Sequence, residues 1–380
     1  MEQAKHIIII CGEASGDLQA GELARAIREI RPRIKISGVG GVSLRQAGAE
    51  IFCDIKNLAV LGLFDALKKL PRFFALKKRI LQKIREEKPD AIILVDFSGF
   101  NLRLAKTLNK SLTTIYYVSP QVWASRPGRV KTIKKYIHRM IVLFKFEEEF
   151  YRRYGVKAAY VGHPLLDIVR PGMEKKAFLA ETGLAESWVT IALLPGSRLQ
   201  EINNILPIML NAASLIRKKL PKVQFVIAKS PQVDQDIYCR LIAASGIDVA
   251  IVEGRTYDCL NCADFCLVAS GTATLETAIM QKPFVILYKM SLLNYLLYRP
   301  QVKIPYIGMV NIVAKKKIIP EFVQGEASPQ GVSEKVLDIL QNPSNIQEMK
   351  SNLKEIASLL GERGAAVRAA RIVLDSIENK

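Results

Sequence analysis

Two short stretches, half a chain apart, carry residue types suited to holding a nucleotide diphosphate. Pro195-Gly196-Ser197-Arg198 follows the apolar run Val189-Thr190-Ile191-Ala192-Leu193-Leu194. A glycine turn at a strand's carboxyl end leaves backbone N–H groups at the start of a helix, and those donors, with the helix dipole, bind anions. Arg198 adds a charged fork matched to phosphate; the plainer alternative is a helix capped by Ser197. Ala269-Ser270-Gly271-Thr272-Ala273-Thr274-Leu275-Glu276 also follows a strand and opens a helix. Its small and hydroxylated residues let a backbone approach a diphosphate. Glu276 falls one turn beyond Thr272 and faces the same mouth, where a carboxylate suits paired ribose hydroxyls.

Three acids stand where a base would be wanted. Asp96 directly follows the five apolar residues 91–95, which puts it at the carboxyl edge of a sheet, where ligands bind. The alternative for Asp96 is a loop cap. Gly12-Glu13-Ala14-Ser15-Gly16-Asp17 follows Ile7-Ile8-Ile9-Ile10-Cys11, so Glu13 and Asp17 share that edge. Other constellations read as structural. Cys259, Cys262 and Cys266 flank an apolar strand, with no nearby His and no fourth Cys in register. Asp234-Gln235-Asp236 opens a helix and reads as a cap. With only three His in the chain, no metal and no cofactor are expected.

These residues need strands to present them. Strands are predicted over 7–10, 34–37, 91–95, 114–118, 140–144 and 156–160, then over 189–194, 224–228, 249–252, 265–269 and 283–287. Helical stretches at 18–29 and 202–219 follow the first strand of each series. Strands alternating with helices imply a parallel sheet in each half, and the all-apolar 91–95 fits a strand buried on both faces. The fold class expected is α/β, with two Rossmann-like parallel-sheet domains facing a cleft and C-terminal helices. The domains are placed at 1–170 and 171–360, with a hinge near Pro171-Gly172. A terminal helix, 361–380, is expected to pack back on the first domain or on a partner subunit. The helical pattern of 347–378 is predicted to break at Gly361-Glu362-Arg363-Gly364.

A chain of 380 residues with 49% hydrophobic content is long enough for two folded domains. No apolar run approaches the ~20 residues of a membrane span. The first strand begins too early for a signal peptide, so a soluble, cytoplasmic protein is expected. The net charge of +19 is concentrated. Lys68, Lys69, Arg72, Lys77, Lys78, Arg79, Lys83, Arg85 and Lys88 fall in one segment, and Arg126, Arg129, Lys131, Lys134, Lys135 and Arg139 in another. In 61–88 the charges interleave with Leu and Phe at roughly helical spacing, which favours an anionic membrane surface. A helix with a plain solvated basic face is the alternative. No nucleic-acid motif is present.

Five motifs taken together are specific. Gly12-Glu13-Ala14-Ser15-Gly16-Asp17, Tyr117-Val118-Ser119-Pro120-Gln121-Val122-Trp123-Ala124, Gly162-His163-Pro164, Leu194-Pro195-Gly196-Ser197-Arg198 and the 269–276 stretch are collinear over nearly the whole chain. As a set they resemble the lipid-A-disaccharide synthase family. The resemblance implies the two-domain GT-B fold. It implies an inverting transfer from UDP-2,3-diacylglucosamine to 2,3-diacylglucosamine 1-phosphate, forming lipid A disaccharide 1-phosphate and UDP. It further implies peripheral attachment to the inner face of the cytoplasmic membrane in Gram-negative-type bacteria, and a homodimer through the C-terminal helices. By the same resemblance Asp96 matches the family's candidate catalytic acid. Arg198, Glu276 and Asn311 match residues of the UDP site, with Glu321 and Gln324 just after.

The sequence departs from the family at Ser98 and Gly99, where Pro and Asp are common, and at Ser125, where a second Trp is common. All three flank the acceptor side. Inversion needs in-line attack by an acceptor hydroxyl that a base deprotonates. Asp96 is the first choice, and Glu13 or Asp17 the second. Arg198 and helix N-termini would stabilise departing UDP. The rivals are another GT-B enzyme using UDP-N-acetylglucosamine, including an epimerase, and a non-catalytic nucleotide-sugar-binding protein at a membrane surface.

Overall fold

The computed structural model describes residues 5–57, 70–292, 295–296, 299–302 and 304–378. The chain divides into two compact units. One runs to Pro164 and takes back the chain from Leu360; the other spans Leu165–Pro300 and Ile304–Leu359. The first contains β1 (His6–Ile10), β2 (Lys35–Gly40), β3 (Glu50–Asp54), β4 (Ala91–Val95), β5 (Thr113–Tyr117), β6 (Arg139–Val142) and β7 (Ala158–Tyr160). Their order is β3-β2-β1-β4-β5-β6-β7, parallel throughout. Helices such as Ala14–Ile30 and Ser98–Leu108 link the strands. A sheet covered on both faces demands apolar side chains everywhere along its central strands. Ile7 to Ile10 and the whole of β4 accordingly show no exposure, and each such Ile is worth about 1.5–3 kcal/mol.

The second unit contains β8 (Val189–Leu194), β9 (Val223–Lys229), β10 (Ala250–Glu253), β11 (Phe265–Ala269), β12 (Phe284–Tyr288) and β13 (Glu321–Val323). Their order is β10-β9-β8-β11-β12-β13, again parallel. In each unit the first strand lies mid-sheet and the chain order reverses beside it. The pairs Ile10↔Leu94 and Leu194↔Val268 align the strand ends at these reversals. In open α/β sheets ligands bind beyond the carboxyl ends of the strands at such reversals, where successive loops run to opposite sides.

Two edge strands, β3 and β13, were not expected. Each pairs on one side only, so neither needs a continuous apolar run, and β3 carries Glu50 and Asp54 at its ends. The division between units falls at Pro164 and Leu165, ahead of Pro171-Gly172. The Asp258 carboxylate accepts from Gly172 N (2.7 Å) and Met173 N (3.0 Å), which binds that stretch into the second unit. The C-terminal helices are Pro343–Leu359 and Ala365–Glu378, with Gly361 and Gly364 between them at positive φ. Helix Ala365–Glu378 buries Ala369, Ala370, Val373 and Ile377 and packs on helix Ala14–Ile30. His163 N donates to Leu360 O (2.9 Å) and Arg368 Nε to Val161 O (2.8 Å), so the outgoing and returning chain are tied together. Among the described residues no helix is long and apolar enough to cross a membrane.

Candidate active site

In the first unit both acid-bearing stretches lie at the reversal, after β1 and after β4. Asp96 is half-buried, and a Cβ added to Gly16 would lie 3.8 Å from its Cβ, so the two turns touch. Gly12 lies under the Phe97 ring, where an added Cβ would fall 2.3 Å from Cγ. Asp96 and Phe97 have φ of 45° and 47°, a left-handed pair that non-glycine residues seldom adopt. The Asp96 carbonyl accepts from the Tyr116 hydroxyl (2.5 Å) and the Asn101 amide (2.9 Å). Glu13 is exposed at the N-cap of helix Ala14–Ile30. Asp17 differs from both. It is buried, and its oxygens accept from Gly41 N (2.6 Å), Ser43 N (2.9 Å) and Leu44 N (3.3 Å). That carboxylate fastens the turn after β2, which is a structural task rather than a base's.

The Ser-Pro-Gln-Val-Trp stretch is anchored from below. Trp123 Nε1 donates to Glu147 Oε1 (3.0 Å), and Glu147 Oε2 accepts from Leu143 N and Phe144 N, each at 3.3 Å. Burial pushes the Glu147 carboxyl up to about 7, although the Trp123 and backbone donors pull the other way. His163, buried beside the Phe144 ring, is pushed down to about 3 by burial and is neutral. Ser98 is the first residue of helix Ser98–Leu108, Gly99 is exposed, and Ser125 pairs with Val302 through a backbone bridge.

In the second unit both nucleotide-type stretches lie at the reversal, after β8 and after β11. Ser197 and Arg198 are exposed, and Gly196 has φ of 107°. The N–H groups expected to be bare are already met. Glu201 Oε2 accepts from Ser197 N (3.1 Å) and Arg198 N (3.4 Å), and Arg198 Nη1 lies 3.0 Å from Glu201 Oε1. After β11, Gly271 and Thr272 are exposed, and Ser270 Oγ donates to Ile307 O (3.3 Å). Thr274 is fully buried, with its hydroxyl on Gly271 O (2.8 Å). Tyr257 Oη donates to Glu276 Oε1 (3.1 Å); burial raises the Glu276 carboxyl, and this bond lowers it in part.

The three remaining residues of the implied UDP site are engaged with the protein itself. Asn311 is fully buried. Its amide donates to Ile319 O and Glu321 Oε1, both at 2.8 Å, and its oxygen accepts from Ile318 N and Ile319 N, both at 2.9 Å. Glu321 also accepts from Ile307 N (3.0 Å) and Gly308 N (2.9 Å). Gln324 spans Met290, accepting from its N (2.8 Å) and donating to its O (3.2 Å). These side chains fasten the loops around the crevice. Cys259, Cys262 and Cys266 are buried free thiols, with burial raising the pKa of each.

Tyr116, Asn101, Glu147, Tyr257 and Glu201 had no assigned role in the sequence. Glu201 carried a signal, since it stands three residues into a helix, where a carboxylate reaches back to the N-cap. Asn101 and Tyr116 carried none, because each bonds a backbone carbonyl, which no residue type in the sequence marks.

Two parallel sheets, each with ligand-suited turns where its strand order reverses, define the two-domain GT-B class. The solved glycotransferase of kitacinnamycin shares the fold, with a TM-score of 0.64 at 14% identity over 98% of this chain and 99% of that one. The sequence matches the lipid-A-disaccharide synthetase family over residues 7–373. Lipid-A-disaccharide synthase of Myxococcus xanthus is 39% identical over 376 residues, covering 99% of this chain and 98% of that one. The Syntrophus aciditrophicus enzyme of the same name is 40% identical over 377 residues, with the same coverage. The chain belongs to the lipid-A-disaccharide synthase family and is a glycosyltransferase of lipid A biosynthesis.

Proposed function

We propose that the protein joins UDP-2,3-diacylglucosamine to 2,3-diacylglucosamine 1-phosphate, releasing UDP with inversion. The observation that carries this reading is the family match across residues 7–373, with the acid and nucleotide motifs at the reversal points of the two sheets. Asp96 takes the proton of the acceptor's primary hydroxyl as the hydroxyl attacks the anomeric carbon. Glu13 stands second. Arg198 exchanges its Glu201 partner for the diphosphate and meets the charge that grows on departing UDP. Gly196, Ser197, Ser270, Gly271 and Thr272 line the diphosphate, and Glu276, oriented by Tyr257, receives the ribose. Asn311, Glu321, Gln324 and Thr274 hold the loops that shape the pocket.

The lipid substrates come from an anionic membrane surface. On helix Leu70–Glu87, Leu76 and Ile80 face the core, while Phe74, 67% exposed, shares a face with Lys77, Lys78, Leu81 and Arg85. An apolar ring among cations suits an interface. The rest of the basic segment, 61–69, lies outside the described residues. Phe73, another ring of this basic segment, packs 5.9 Å from Phe97 and 6.1 Å from Phe100, between ring centroids. The protein therefore works as a peripheral enzyme on the cytoplasmic face. A homodimer would need a face other than the apolar stripe of helix Ala365–Glu378, which is buried on Ala14–Ile30.

Purified protein with both lipids, each radiolabelled, should yield a disaccharide 1-phosphate and one UDP per product. Turnover of UDP-N-acetylglucosamine with neither lipid present would support the rival GT-B reading. Binding of the donor without turnover would support the non-catalytic one.

A further inference from the structure

The turn after β4 is held by more than a strand-to-helix connection needs. Asp96 and Phe97 are consecutive non-glycine residues at φ of 45° and 47°. Such backbone persists only where its surroundings over-determine it, and it concentrates at functional sites. The surroundings here are two fully buried side chains from different elements, Tyr116 on β5 and Asn101 on helix Ser98–Leu108. Both donate to the same atom, the Asp96 carbonyl oxygen, at 2.5 and 2.9 Å. The Asn101 amide also reaches Val95 O (3.2 Å) and, at 3.5 Å, Ile10 O, so it ties the end of β4 to the end of β1. These acceptors fix which way the amide faces. Its Oδ1, by contrast, is buried without a partner. A buried polar atom is seldom left unmet, and doing so costs free energy.

We propose that Tyr116 and Asn101 are positioning residues for the transfer. Their shared grip on the Asp96 carbonyl holds the left-handed pair and so sets the direction in which the Asp96 carboxylate leaves the sheet edge. Phe97 completes the lock, with its ring against Gly12 and stacked 5.1 Å from Phe100. The inference rests on the reading of Asp96 as base.

A double-mutant cycle on the full-length enzyme tests it. Tyr116→Phe removes one hydroxyl and keeps the ring. Turnover should fall about tenfold or more, as expected for a reacting group displaced by a fraction of an ångström. KM for both lipids and the affinity for UDP by calorimetry should stay within about twofold of wild type. In an Asp96→Asn background the same change should have almost no further effect, since it acts only through Asp96. Should Tyr116→Phe not yield folded protein, Asn101→Ser runs the same cycle. Undiminished turnover of Tyr116→Phe beside a crippled Asp96→Asn overturns the inference alone. So does a loss that multiplies with that of Asp96→Asn. Wild-type turnover of Asp96→Asn overturns the base reading, and the inference falls with it.

Discussion

At the reversal of the first sheet, the turn after β4 is closed in. Buried Tyr116 and Asn101 grip it, and Phe97 wedges it against Gly12. At the reversal of the second sheet, the turn after β8 stands in solvent, with exposed Ser197 and Arg198 bonded to Glu201 of the helix that follows. The two strand ends are alike in topology and differ in what surrounds them. A proton-transfer group gains from a fixed direction, because its reacting distance is short. An arginine that must take up and release a diphosphate gains from a partner that can be displaced at small cost in high dielectric. The same fold element has been stiffened in one unit and left pliant in the other.

The largest expected effect tests the stiff side. Asp96→Asn keeps shape and removes basicity, so turnover should fall by about 10² to 10⁴, with UDP affinity by calorimetry nearly unchanged. Loss of UDP binding together with activity would make Asp96 structural and turn attention to Glu13. The pliant side should behave differently. Arg198→Ala should lower kcat/KM by about 10² to 10³ and weaken UDP binding as well. If UDP binds as in wild type, Arg198 leaves the diphosphate site and the contrast between the two turns collapses.

Burial around the first unit's loops also predicts a pH signature. Folded, Glu147 keeps its proton up to about pH 7; unfolded, it releases it near 4.5. Between those values the native state binds more protons. The stability this group contributes is therefore full below about 4.5 and is lost as pH rises through about 7. His163 runs the other way. Its burial favours the folded state above 6.5, and that stability is lost as pH falls toward about 3. Glu147→Gln should therefore gain on wild type from pH 4.5 to 7, by up to ~3 kcal/mol in urea unfolding. A difference that does not vary with pH would contradict a buried, proton-holding Glu147.

The smallest effect concerns two neighbouring rings. Phe74→Ser should weaken binding to anionic vesicles by about tenfold, with the melting temperature unmoved, because its ring is solvent-exposed. Phe73→Ser should lower the melting temperature, because its ring packs on Phe97 and Phe100. Equal effects on vesicle binding and none on melting would return both rings to the membrane face.

The sequence by itself determined the two parallel sheets and the places where ligand-type turns open. A short all-apolar run such as 91–95, alternating with helical stretches, reads as a strand buried on both faces, and small residues right after such a run mark its exit. Those are local signals, complete within about ten residues. The edge strands β3 and β13 escaped because a strand paired on one side needs no such run. What each polar side chain does was decided by tertiary structure. Asp17 and Asp96 look alike in sequence, yet Asp17 meets backbone donors 24 to 27 residues away and becomes an anchor. Asp96 has its carbonyl held by a tyrosine 20 residues away. Asn311 and Glu321, ten residues apart, bond to each other and to the loop between them. A buried carboxylate or amide takes whichever donors the packed chain brings to it, and burial makes leaving it unpaired too costly. Sequence spacing records the residue type, and only the folded chain supplies the partner that sets its role.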